Sequence, residues 1–101
     1  MSVKQFVEES IEGNKIVVFS KSYCPYCKRA KALLKDNYPS EEFLVYELDE
    51  RDDGSDIQAY LAEKTGQRTV PNIFVGQNHV GGCDAVTAAH KSGQLSKLIS
   101  A

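Results

Sequence analysis

The sequence predicts an α/β domain, a mixed sheet with helices on both faces, and three observations carry that prediction. Short segments rich in branched and aromatic residues alternate with segments of helical apolar spacing up to about residue 66. Two further strand-sized pieces then flank the turn residues "GQN" at 76–78, adding a hairpin and therefore antiparallel pairing to the sheet. Finally, 101 residues with 42% hydrophobic and 26% charged side chains suit one modest core, because a chain near this size buries roughly two-thirds of its unfolded surface. The whole chain, 1–101, reads as a single domain without repeat, linker or low-complexity tract.

Each element has its own local cause. Ser2 can cap a first helix whose Val3, Phe6, Val7 and Ile11 share one face, and Gly13 with Asn14 stops it. "KIVVFS" at 15–20 reads as a buried strand that delivers the chain to "SKSYCPYCKRAK". From Pro25 to about Asp36, Ala30, Ala32, Leu33 and Leu34 among basic residues predict a helix, ended by "NYPS". "EFLVYELD" predicts a second strand. "GSDIQAYLAEKTG" predicts a helix opened by Ser55, with Gln58 in the capping-box position and Gly66 as its stop. "NIFVG" and "HVGG" form the hairpin. Asp84 is expected to cap a helix running through His90, with Gly93 as a break before a last helical piece, "QLSKLISA".

Charge and motif absences narrow the function. A formal net charge of -2 offers no general attraction for nucleic acid or an anionic membrane. The amphipathic, acidic start "MSVKQFVEESIEG" lacks the pattern of a secretory signal or transit peptide, and no apolar run reaches the ~20 residues that span a bilayer. Three cysteines are too few and odd in number for a disulfide framework, so a reducing, cytoplasmic setting is expected.

The pair Cys24 and Cys27 then admits three readings: half of a zinc site, a structural disulfide, or a reactive dithiol. Zinc needs four ligands, and beyond the pair only Cys83, His79 and His90 are available. A disulfide closing so small a loop would restrict the unfolded chain only slightly. The third reading has a physical basis in the pattern strand, Cys24, Pro25. Proline suits the first helical position, which leaves Cys24 at the N-cap, facing the open N–H groups of Tyr26 and Cys27 and the positive end of the helix dipole. Lys21, Lys28, Arg29 and Lys31 push the same way, so Cys24 is expected to ionise below the ordinary thiol range. Cys27, one turn on and deeper, is the candidate resolving thiol.

"CPYC" after a strand, "TVPNIFV" downstream and "GGCD" beyond it resemble the dithiol glutaredoxins, over essentially the whole chain. The resemblance implies a thioredoxin-like fold, a four-stranded mixed sheet flanked by helices. It implies a glutathione-dependent thiol-disulfide oxidoreductase that uses Cys24 alone on protein–glutathione mixed disulfides and Cys24 with Cys27 on protein disulfides. Glutathione would be co-substrate, with no tightly bound cofactor and no metal, and the chain a monomer. A different class of function within the same resemblance is a carrier of a glutathione-ligated [2Fe–2S] cluster, although cluster binders more often have glycine or serine where this chain has Pro25.

The same resemblance implies the glutathione contacts. Thr69, Val70 and Pro71 would face the cysteine pair with a cis bond before Pro71, and the Val70 backbone would pair with the peptide of glutathione. Lys21 and Gln58 would meet its glycine end, with Tyr26 along the wall. The N–H groups of Cys83 and Asp84 after Gly81 and Gly82 would receive the other carboxylate. Plainer readings stand beside these: Lys21 as a solvated charge, Tyr26 as a partly exposed aromatic, Gln58 and Asp84 as helix caps, Thr69 as a strand former, Val70 as core, Pro71 as a strand entry, Cys83 as a small hydrophobe. Relatives often carry an aspartate two residues after the position of Cys83, where this chain has Ala85. His79 and His90 receive no role, and the acidic run "ELDERDDGSD" reads as solvated.

Overall fold

The computed structural model describes residues 2–101. Its sheet is built outward from two wholly buried strands, β1 (Ile16–Ser20) and β3 (Asn72–Val75), which pair antiparallel. β2 (Phe43–Glu47) lies parallel to β1, and β4 (Asn78–Gly81) lies antiparallel to β3, giving the order β2-β1-β3-β4. This is the expected four-stranded mixed sheet.

The continuous apolar run of β1 follows from its central position, because alternate side chains serve opposite faces. Ile16 and Val18 pack with Ile73 and Val75 under α2 (Pro25–Asn37), α4 (Cys83–Ser92) and α5 (Gln94–Ser100), through Ala30, Leu34, Val86, Leu95 and Ile99. Val17 and Phe19 face the other way, with Phe74, onto α1 (Val3–Gly13) and α3 (Gly54–Thr65), through Val7, Ile11, Ile57 and Leu61. Each large apolar side chain so buried contributes roughly 1.5–3 kcal/mol. Phe19 and Phe74 add an edge-on ring pair at 6.1 Å.

The parallel β1–β2 pair forces a crossover, and α2 is that crossover. Its N-terminus must therefore stand beside the C-terminal end of β1, which is where the cysteine pair lies. The hairpin between β3 and β4 turns on Gly76 and Gln77, both at positive φ (56° and 68°). That is the geometry a two-residue turn needs to match strand twist.

Most element boundaries agree with the sequence pattern. Ser2 Oγ accepts from the Gln5 N–H at 3.0 Å, and Gly66 and Gly93 close α3 and α4 in the left-handed conformation. Two caps differ. α3 begins at Gly54 rather than at a Ser55 cap, because Gly54 packs directly on Leu48 of the short 3-10 turn Leu48–Glu50. Asp53 precedes it without capping, its carboxylate held by Arg51 at 2.8 Å, and the capping box with Gln58 does not form. α4 begins at Cys83 with Gly82 at the N-cap, so Asp84 lies in the first turn instead of capping. The chain leaves β4 through Gly81 at φ 123°, a conformation open to glycine, and is already helical when it reaches Asp84.

Candidate active site

Cys24 is the N-cap of α2, and Pro25 occupies the first turn. The Cys27 N–H donates to Cys24 Sγ at 3.3 Å. Partial burial pushes the Cys24 thiol up. The Cys27 thiol, the N–H groups of Cys27 and Tyr26 and the charge of Lys31 more than offset that, leaving it below the ordinary thiol value. Lys28 and Arg29 are exposed, with the Arg29 guanidinium 5.5 Å from the Tyr26 ring centre.

Cys27 is the opposite case. It is wholly buried, and burial together with the Cys24 sulfur raises its pKa, while the Lys21 N–H and the Ser20 hydroxyl pull it down. Lys21 N–H reaches its sulfur at 3.5 Å. The pair is thus polarised, with the less buried member ionised first. Cys24, Cys27 and Cys83 are all free thiols.

A groove of about 540 Å³ opens beside Cys24, lined by Tyr26, Gln67, Thr69, Val70, Pro71, Gly82, Cys83, Asp84 and Ala85. It gathers Tyr26, the Thr69–Pro71 segment and the Gly82–Asp84 segment from three separate stretches of chain. The Val70–Pro71 bond is cis. Cys24 Sγ lies 3.9 Å from the Val70 carbonyl oxygen, which joins the nucleophile to the groove. Tyr26 is 56% exposed, so its ring forms an open wall. Lys21 and Gln58 do not line the groove. Lys21 precedes Cys24 in a turn closed by the Cys24 N–H on the Lys21 carbonyl at 3.1 Å. Gln58 donates from Nε2 to the Arg68 carbonyl at 2.9 Å and borders a separate shallow depression on α3.

Several residues at the site had no functional reading in the sequence. Gln67 donates from Nε2 to the carbonyls of Thr69 (2.9 Å) and Pro71 (2.8 Å), fastening the segment that carries Val70. Asp49 accepts from the Ser22 N–H at 2.9 Å and from the Ser22 hydroxyl, bracing the loop before Cys24 from the 3-10 turn that follows β2. Ser20 is buried at the end of β1. The one available signal was polarity in unexpected places: a serine ending an apolar strand, an acid at a strand exit. Among the described residues, no group of three or more His, Cys, Asp or Glu could hold a metal ion, and no helix is long and apolar enough to cross a membrane. His79 Nε2 pairs with Asn72 Oδ1 and His90 Nδ1 with the Tyr38 hydroxyl, each at 2.8 Å, away from the cysteines.

A thioredoxin-like sheet with a polarised Cys-x-x-Cys pair at its first crossover helix defines a thiol-disulfide oxidoreductase. The glutaredoxin family model matches residues 16–80, and the chain belongs to the glutaredoxin family. It is 54% identical over 99 residues to Glutaredoxin-1 of Rhizophagus irregularis, covering 98% of this chain and 96% of that one. A glutaredoxin of Ricinus communis is 53% identical over 93 residues, covering 92% and 89%. Among solved structures, a buckwheat glutaredoxin–glutathione complex superposes with a TM-score of 0.91 at 43% identity, over 97% of this chain and 87% of that one.

Proposed function

We propose that the protein is a glutathione-dependent oxidoreductase that removes glutathione from protein mixed disulfides and reduces protein disulfides. The observation that carries this reading is a Cys24 thiol held below its ordinary pKa at the mouth of a groove suited to a short peptide. The buckwheat relative, solved with glutathione, supports the choice of peptide.

In the first reaction the Cys24 thiolate attacks the glutathione sulfur of a mixed disulfide. The client–glutathione S–S bond breaks, the client thiolate leaves with the electron pair and takes a proton, and a Cys24–glutathione disulfide remains. A second glutathione thiolate attacks the glutathione sulfur of that adduct, giving glutathione disulfide and returning the Cys24 thiolate. With a protein disulfide, the Cys24 thiolate attacks one client sulfur, the client S–S bond breaks and the other client sulfur leaves as a thiolate that takes a proton; Cys27 then attacks Cys24 Sγ, forming the Cys24–Cys27 bond and releasing the bound client sulfur. Two glutathiones then reduce the Cys24–Cys27 bond, and a separate reductase recycles glutathione disulfide.

Recognition of glutathione rests on its two carboxylates. Lys21 supplies charge near the nucleophile, the Val70 backbone pairs with the peptide, and Tyr26, Thr69 and Pro71 form the wall. The open N–H groups of Cys83 and Asp84 at the start of α4 take the distal carboxylate, with Gly82 allowing close approach. Gln58, its amide committed to Arg68, steadies the loop leading to Thr69 and meets the ligand only from the rim. The chain works as a monomer in a reducing compartment, the cytoplasm, where its thiols persist.

The test is a coupled assay with a small glutathione mixed disulfide, glutathione, glutathione reductase and NADPH. Protein-dependent NADPH consumption that saturates with the mixed disulfide is expected. No turnover above the uncatalysed exchange would overturn the reading.

A further inference from the structure

The strand end that leads into the site carries a side chain the reactions above do not use. Ser20 is fully buried, in register with Glu47 of β2 and on the face of β1 that α2 covers. Its hydroxyl makes a long bond, 3.4 Å, to the Lys21 carbonyl and also bears on the Cys27 sulfur. Cys27, also fully buried on α2, receives the Lys21 N–H at 3.5 Å. A buried thiol that must become a nucleophile needs donors for its negative charge, because burial leaves the sulfur without a hydration shell. The geometry points to Ser20 and the Lys21 N–H as a dedicated thiolate site for Cys27, which stabilises the resolving thiolate while it attacks Cys24.

The step rests on the dithiol branch of the function proposed above. Cys27 loses its proton to solvent or buffer, and its thiolate attacks Cys24 Sγ. The bond from Cys24 to the departing sulfur breaks, the Cys24–Cys27 bond forms, and the departing thiolate is protonated from solvent. As charge builds on Cys27, the Ser20 hydroxyl turns from its stretched bond on the Lys21 carbonyl to the sulfur. Both donors already act on Cys27 in the direction of the thiolate. Of the other charged and titratable groups on the packed elements, Cys24 opposes ionisation of Cys27. Lys31 is tied to Glu47 at 2.8 Å, and Lys21 carries its charge in the loop between. A change at Ser20 leaves all of these in place.

The expected signature is a crossing of two pH profiles. A hydrogen bond to a charged group is worth on the order of tenfold in an ionisation equilibrium. Without the hydroxyl, Cys27 is about tenfold less ionised below its midpoint. The more basic thiolate is intrinsically about threefold faster at a Brønsted slope of about 0.4–0.5. Resolution in Ser20→Ala is therefore roughly threefold slower near neutral pH and roughly threefold faster above both midpoints.

The experiment loads Cys24 with glutathione from glutathione disulfide at acid pH and removes the excess. The pH is then raised, and loss of the adduct from the Cys24 peptide is followed by acid quench and mass spectrometry. Crossing profiles for wild type and Ser20→Ala support the proposal, and Ser20→Thr, which keeps the hydroxyl, should lie on the wild-type side of the crossing. Identical profiles, or a slowing of the same size at every pH, overturn it, since a loosened strand end slows the step uniformly. Titration of the Cys24 thiolate in the same variants checks that the N-terminus of α2 is intact. A wild-type protein that takes no glutathione on Cys24 would instead overturn the function proposed above.

Discussion

Replacing Cys27 by alanine and by serine separates two roles of one side chain. The Cys27 thiol is the strongest of the influences that lower the Cys24 pKa, ahead of the backbone N–H groups. Alanine removes that donor; serine, with a hydroxyl of similar reach, keeps it. A hydrogen bond to an ionised group is worth about 1.5–3 kcal/mol, and a weak S–H donor beside a partly exposed sulfur belongs below that range, at about 1 kcal/mol. That is about fivefold in the thiolate-to-thiol ratio. The sign follows from the direction of the shift. Cys24 is held below the ordinary thiol value, so it stays thiolate as pH falls until its depressed midpoint is passed. Cys27→Ala moves that midpoint upward and loses thiolate across the interval between the two. The N–H groups of Cys27 and Tyr26 remain, so the midpoint stays below that of a free thiol. Thiolate ultraviolet absorbance against pH, checked by iodoacetamide labelling of the Cys24 peptide, should place alanine above serine. Equal midpoints for the two variants would show that the backbone and helix terminus hold the thiolate unaided, and would refute the assignment.

Other expectations follow from the same geometry. Cys24→Ser should abolish turnover with both mixed disulfides and protein disulfides in the coupled assay, because its hydroxyl is not ionised near neutral pH and forms no disulfide. Cys27→Ser should keep or raise deglutathionylation while reduction of a protein disulfide falls, measured with each substrate in turn; equal loss of both would contradict the one-thiol route. Ala85 lines the groove beside Asp84. Ala85→Asp, which adds a carboxylate for the γ-glutamyl ammonium, should therefore lower the apparent KM for a glutathione mixed disulfide by up to about fivefold, a change that steady-state kinetics would detect. Gly54→Ala places a Cβ on the Leu48 carbonyl oxygen, a backbone atom that cannot swing away. It should cost about 3 kcal/mol or more, lowering Tm by about 12 °C or more in calorimetry.

By itself the sequence determined the features written in neighbouring residues. An apolar run such as "KIVVFS" states that a strand is buried on both faces, and a cysteine followed by proline at a helix start states where the thiol lies relative to the open N–H groups. The place of Cys24 at the helix N-cap was legible for that reason, and the "TVP" and "GGCD" segments were legible through resemblance. Helix starts were harder. Ser55 and Asp84 are good caps by local preference, yet Gly54 packing on Leu48 and the exit through Gly81 and Gly82 set both starts two residues earlier. Only the tertiary structure decided which distant groups meet. Asp49 reaches Ser22 because β2 lies parallel to β1 and ends beside it. Ser20 comes to the α2 side of the sheet because β1 presents alternate residues to that helix. Propensity and capping are energies of a few neighbouring dihedrals and hydrogen bonds, whereas these pairings depend on strand order and register, which no local window of the chain contains.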